Sequence, residues 1–223
     1  MSTDTQEPRD SGMTLIEVLV AMGLFSLLGT LLLGFSLSTS RVTEDTRALT
    51  NVNEESRLAM ERMARELRQA NKITEVDLPV NATTDDTAVT FWIDFDGDKV
   101  PDTTAVDPEV LTYRYDPVTN RLTLTANDAS GTEVTRPVLA AKVSKFDVLL
   151  KSSAWQHDAN GDGSTTWQEL NAAGPPVGDQ DPTPVSPDGP ELDHIDLVDI
   201  TMTVLDGPRA QTYRTQVDMR NQS

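Results

Sequence analysis

The rhythm of apolar and polar positions changes twice along this chain, and each stretch predicts a different element. From Val18 to Leu37 no side chain is charged, and only Ser26, Thr30 and Ser36 are polar. At about 1.5 Å of rise per residue the run covers about 30 Å, the hydrocarbon thickness of a bilayer. Leu19, Val20, Leu24, Phe25, Leu28, Leu31 and Leu32 fall on all sides of the helix, so it lacks the polar face of a soluble core helix. A transmembrane helix is predicted. The run is too long for a cleavable secretory h-region, and Leu37-Ser38-Thr39-Ser40 is a poor small-x-small cleavage site.

Beyond Arg41 the pattern narrows to a stripe. Leu49, Val52, Ser56, Met60, Met63, Leu67, Ala70 and Ile73 recur at steps of three or four, the period of an amphipathic helix. Glu54, Arg57, Glu61, Arg62, Arg65, Glu66 and Arg68 take the other face, which predicts a solvated surface with Glu61–Arg65 and Arg62–Glu66 paired at i,i+4. No proline lies between Asp10 and Pro79, so one helix is expected from about Thr14 to about Asn71. The stripe is short for a coiled-coil stalk and suits a helix packed on a sheet.

From there the period falls to two. Ala88–Phe95, Val110–Tyr115, Arg121–Ala126, Glu133–Leu139, Lys145–Lys151, Ile195–Leu205 and Thr212–Met219 read as strands. Asp116-Pro117-Val118-Thr119-Asn120 is the bend of a hairpin. The expected class is therefore α+β, a long N-terminal helix with its second half packed on an antiparallel β-sheet. Residues 174–190 are rich in Gly, Pro, Asp and Ser and are expected to form a loosely held surface loop.

Composition sharpens this picture by exclusion. The 223 residues hold 18 Lys plus Arg against 36 Asp plus Glu, a net charge of −18, so a nucleic-acid backbone would be repelled. The chain has no cysteine, which removes disulfides, thiolate catalysis and Cys-based metal sites. The acid excess sits in the C-terminal part, where it suits solubility, a salt-adapted surface or divalent-cation binding. His157 and His194 form no metal-ligand spacing, and neither a nucleophile elbow nor a phosphate loop is present. An enzyme reading would rest on acidic side chains alone.

One carboxylate stands where none is expected. Gly12-Met13-Thr14-Leu15-Ile16-Glu17 places Glu17 at the head of an otherwise unbroken apolar helix, and an intramembrane acid is a functional candidate by default. The stretch Gly12-Met13-Thr14-Leu15-Ile16-Glu17-Val18-Leu19-Val20-Ala21 closely resembles the leader junction of type IV pilins and of type II secretion pseudopilins. That resemblance implies a pilin-like fold and cleavage by a prepilin peptidase between Gly12 and Met13, with methylation of the new N-terminus. It also implies assembly with other pilin or pseudopilin subunits, membrane lipid being the helix's surroundings before assembly. Met13 stands where the family usually has Phe. Residues 1–12 carry Asp4, Glu7 and Asp10 against Arg9, whereas family leaders tend to be basic, so orientation rests on the resemblance and not on flanking charge.

In the family Glu17 corresponds to a carboxylate paired with a neighbouring subunit's N-terminal amine. Such a pair makes register selective, because a misplaced subunit leaves both charges unpaired in a low dielectric. The resemblance divides the chain into a leader at 1–12, a transmembrane or filament-core helix at 13–40, an amphipathic helix at 41–76 and an acidic β-rich domain at 77–223. It implies a single-pass inner-membrane protein with an extracytoplasmic C-terminal domain. The large acidic domain resembles a J-type pseudopilin or W-type minor pilin more than a major pilin.

Two acidic motifs bear on cofactors. Asp158, Asn160, Asp162, Ser164, Thr166 and Glu169 fall at positions one, three, five, seven, nine and twelve of an EF-hand-type calcium loop, with Gly163 at six. Ca²⁺ is expected there, without the entering helix of a paired EF-hand. Asp94, Asp96, Asp98 and Asp102 form a weaker match, because Lys99 replaces the glycine and no Glu stands at twelve; an Asp-rich turn is favoured there over a Ca²⁺ site. The competing reading of the whole chain is a signal-anchored calcium-binding surface or adhesion module, which needs the Asp158 loop but not Gly12 or Glu17.

Overall fold

The computed structural model describes residues 13–103, 108–153, 155–207 and 209–219. The chain divides into two compact units, Met1–Leu49 and Thr50–Ser223. Helix α1 (Leu15–Gln69, 55 residues) supplies the described part of the first unit and opens the second.

In the first unit the helix is long and apolar enough to cross a membrane. Leu19, Val20, Leu24, Phe25, Leu31 and Leu32 are all exposed, so the described residues of this unit form no core of their own. Hydroxyls of Ser26, Thr30, Thr39, Thr43 and Thr46 are satisfied within the helix. Ser26 Oγ donates to the Met22 carbonyl at 2.8 Å and Thr30 Oγ1 to the Ser26 carbonyl at 2.8 Å. Such i−4 back-bonding lets a small hydroxyl sit in an apolar helix without an orphan donor.

In the second unit α1 buries the expected stripe: Ser56, Met60, Met63 and Leu67 are buried and Val52 is partly so, with Ala70 buried just past the helix end. The charged face departs from expectation in two ways. Glu61 pairs with Arg57 at 2.8 Å and not with Arg65, while Arg62–Glu66 forms at 2.7 Å as expected. Glu66 is not solvated, because the Tyr113 hydroxyl donates to its Oε2 at 2.5 Å from the sheet. The helix stops at Gln69, where the Asn71 N–H leaves the helical ladder and donates to the Trp92 carbonyl at 2.9 Å.

Two antiparallel sheets form where one was expected. The first has the order β1 (Lys72–Asp77), β2 (Thr87–Trp92), β3 (Val110–Asp116), β4 (Arg121–Asn127), β5 (Glu133–Pro137). The second joins β6 (Lys142–Ser152), β7 (Thr165–Thr166), β8 (Leu197–Asp206) and β9 (Arg209–Asp218) in the order β7-β6-β8-β9. Short helices α2 (Trp167–Ala173) and α3 (Gly189–Leu192) lie between β7 and β8. The two sheets and α1 share one core, with Met63 and Leu67, Phe91 and Tyr113, Leu150, Ile200 and Met202 buried in it. The rings of Phe91 and Tyr113 stack with centroids 6.1 Å apart.

Strand β1 corrects the expected helix boundary at 76. Ile73 and Val76 are spaced three apart, which mimics a helical stripe, but a bulge between Ile73 and Glu75 resets the pleat so that both side chains face the core. The hairpin forms as expected, with Asp116 opposite Arg121 and Asn120 at φ 56°. Asp116 Oδ1 accepts from the Val118 and Thr119 N–H groups at 2.7 and 3.2 Å, so the bend closes on its own carboxylate.

The segment 174–190 is also corrected, because it is anchored. The Asn171 side chain clamps Asp181, donating from Nδ2 to its carbonyl at 3.0 Å and accepting its N–H at 2.9 Å. Gly178 packs directly on α2, where an added Cβ would stand 2.1 Å from the Leu170 carbonyl oxygen. A segment poor in large apolar groups is thus held by backbone contacts that composition does not display.

Candidate functional site

Of the junction residues, Gly12 lies outside the described residues and Met13 is exposed. Thr14 and Glu17 form a reciprocal cap on α1. Glu17 Oε2 accepts from the Thr14 N–H at 3.0 Å and from Thr14 Oγ1 at 3.1 Å, and the Glu17 N–H donates to Thr14 Oγ1 at 3.4 Å. This is the capping-box spacing, with Thr at the cap and Glu three residues on. Glu17 remains exposed, so its carboxylate holds the first turn and faces outward together. The sequence placed Glu17 at the helix head but did not read the cap, whose signal was Thr14 three residues before it.

The side chains of the Asp158 loop bind the loop's own backbone. Asp158 Oδ1 accepts from the Gly161 N–H at 2.7 Å and Oδ2 from the Gly163 N–H at 2.8 Å. Asn160 Oδ1 takes the Asp162 N–H at 2.8 Å, and Asp162 Oδ1 takes the Ser164 N–H at 2.9 Å. Gly163 has φ 83°, a left-handed conformation that glycine adopts without strain.

Glu169 closes the loop. Its Oε1 accepts from the Ala159 and Asn160 N–H groups at 3.2 and 3.3 Å, and its Oε2 from Thr166 N–H and Oγ1 at 2.9 and 3.0 Å. Thr166 caps α2 in the same motion. These bonds, led by the Thr166 N–H, hold the Glu169 carboxyl below the ordinary range. Asp158, Asn160, Asp162 and Glu169 thus each bind backbone N–H groups of the loop, and the carboxylates among them are not gathered within 4.8 Å of one another as those of the two clusters below are.

The Asp94 loop gains a residue that sequence reasoning missed. Asp94 and Asp96 gather with Glu109, one carboxylate oxygen of each lying within 4.8 Å of the others. Glu109 is buried, its Oε1 accepting from the Phe95 N–H at 2.8 Å and its Oε2 from the Asp102 N–H at 2.9 Å. Asp98 is turned to the Val100 N–H at 2.7 Å, outside that group. Asp94 Oδ1 takes the Gly97 N–H at 2.6 Å, and Lys99 adopts φ 63° in the place where a calcium loop has glycine. Glu109 lies too far along the chain for loop spacing to reveal it. A second gathering, Asp179 with Asp188 and Glu191, was also missed, because its members lie close in the chain but at no calcium-loop spacing.

Comparison with known proteins adds a motif at the head of the chain. Residues 8–33 match the prokaryotic N-terminal methylation motif. Among solved structures the type IV-like pilin TTHA1219 from Thermus thermophilus is similar at a TM-score of 0.44 and 13% identity, over 77% of this chain and 97% of that one. No curated protein matches the chain. Residues 8–33 contain Gly12, Met13 and Glu17 and run into the apolar part of α1. The chain carries the prokaryotic N-terminal methylation motif at residues 8–33, on the stretch that holds Gly12, Met13 and Glu17.

Proposed function

We propose that this chain is a minor pilin or pseudopilin, a non-catalytic subunit that enters a type IV pilus or a type II secretion pseudopilus after a prepilin peptidase cuts between Gly12 and Met13. The observation that carries the reading is the methylation motif at residues 8–33 with Glu17 at the head of an unbroken apolar helix. Before assembly the helix is held in the inner membrane with the β-rich unit outside the cytoplasm. On assembly the Glu17 carboxylate meets the amine of a neighbouring subunit's Met13, exchanging its local bond to Thr14 for an intersubunit pair. The Asp158 loop takes Ca²⁺ through Asp158, Asn160, Asp162, Glu169, the Ser164 carbonyl and Thr166. The donors are hard oxygens in the order calcium loops use.

The test is mass spectrometry of the full chain recovered from membranes in which a prepilin peptidase is co-expressed. A methylated Met13 N-terminus is expected. An intact leader, or a cut near Ser40, overturns the reading in favour of a signal-anchored or secreted calcium-binding module.

A further inference from the structure

Among the described residues of the second unit two carboxylates are almost wholly buried, Glu109 and Glu191, each 1% exposed. Glu109 has both oxygens engaged by backbone N–H groups. Glu191 does not. Its Oε1 accepts from the Asp179 N–H at 3.1 Å, but its Oε2 is buried with no hydrogen-bond partner among the described residues. A buried carboxylate oxygen without a donor costs its lost hydration, and proteins ordinarily meet that cost with a donor, a cation or a metal.

What faces Glu191 makes the cost larger. One carboxylate oxygen each of Asp179, Asp188 and Glu191 lies within 4.8 Å of the others. None of the three makes an ion pair with Lys or Arg among the described residues; the nearby Lys72 pairs with Asp193 instead. Asp188 precedes α3 yet makes no side-chain cap bond. Three like charges therefore converge with one unsatisfied oxygen among them.

The segment bearing them is fixed and cannot spread them apart without loss. Asn171 clamps Asp181, Gly178 is wedged on the Leu170 carbonyl, and the Asp179 N–H is bound to Glu191. Oxygens on opposite sides of a calcium ion stand about 5 Å apart, and this cluster is gathered within that span. We propose that Asp179, Asp188 and Glu191 form a divalent-cation site for an ion of the calcium type, separate from the Asp158 and Asp94 loops. The ion supplies the missing partner of Glu191 Oε2 and staples the 174–190 segment to the body of the unit. Asp179 and Asp188 are exposed, which leaves the ion a path from solvent.

The experiment is equilibrium dialysis of Ca²⁺ with thermal melting of the full chain in detergent, after stripping with EGTA. The unmutated chain is compared with Asp188→Asn and Glu191→Gln, each also made in an Asp158→Ala background. The expected result is loss of one calcium equivalent, or at least a tenfold weaker affinity for it, in both variants and both backgrounds. Glu191→Gln should melt no lower than the unmutated chain in EGTA, because the unpaired buried charge is gone. Unchanged calcium stoichiometry and affinity in the variants overturns the proposal. Should Glu191→Gln fail to fold, Asp188→Asn at an exposed side chain decides the matter. Saturation of the same equivalent by MgCl₂ at equal concentration overturns the choice of calcium.

Discussion

The Tyr113 hydroxyl donates to Glu66 Oε2 at 2.5 Å, joining β3 to α1 through a carboxylate that also accepts from Arg62. Hydrogen bonds to a charged acceptor contribute about 1.5–3 kcal/mol. Tyr113→Phe should therefore destabilise the second unit by about that amount, read as a lower denaturation midpoint. Glu66→Gln should recover part of the loss in the Tyr113→Phe background, since it removes the charge left short of a donor. Additive effects of the two changes would show that the contact is not coupled.

The same pair sets an alkaline limit. Burial, then the Glu66 charge and the bond to it, raise the Tyr113 hydroxyl well above the ordinary phenol range. A raised value means that the folded state holds its proton more tightly than the unfolded chain. The contribution is complete below the unfolded tyrosine value of about 10 and is lost as pH rises toward the folded value, at about 1.4 kcal/mol per pH unit. Denaturation midpoints taken from pH 9 upward, starting below about 10, should fall more steeply for the unmutated chain than for Tyr113→Phe. Parallel curves would remove Tyr113 as the cause.

Two glycines predict opposite sensitivities. At Gly178 a Cβ would stand 2.1 Å from the Leu170 carbonyl oxygen and 2.6 Å from the Asn171 Cα, both backbone atoms. Gly178→Ala should cost several kcal/mol, about 3 or more, and release the 174–190 segment to proteolysis. At Gly163 the space is open and only the φ of 83° resists. Gly163→Ala should cost about 1–2 kcal/mol without exposing that segment. Limited proteolysis of the two variants side by side checks both.

Asp158→Ala separates calcium chemistry from ordinary turn formation. If the loop takes Ca²⁺, the variant should lower the melting temperature in calcium by more than it does in chelator. Equal shifts in both conditions would make Asp158 a turn residue that serves the Gly161, Asp162 and Gly163 N–H groups.

What the sequence disclosed was whatever rests on local periodicity. The apolar run, the stripe from Val52 to Ala70 and the Asp116–Arg121 hairpin follow from side-chain spacing alone. The two-residue β7 is too short to carry a period, and β1 hid behind a bulge that imitates a helix. The acidic motifs divide the same way. Asp158 to Glu169 match a known spacing within one loop, whereas Glu109 reaches Asp94 and Asp96 through the fold and Asp179, Asp188 and Glu191 match no such spacing.

The back-bonded hydroxyls of α1 carry a further consequence. Between Val18 and Phe35 the only polar side chains are Ser26 and Thr30, and both give their protons to carbonyls of their own helix. That length offers a passing helix no directional handle: sliding by one turn exchanges one greasy surface for another at nearly equal free energy. Along that stretch a sideways neighbour would find a stop only where Glu17 presents its carboxylate beside Thr14, so the helix is a smooth rail with a notch at its end.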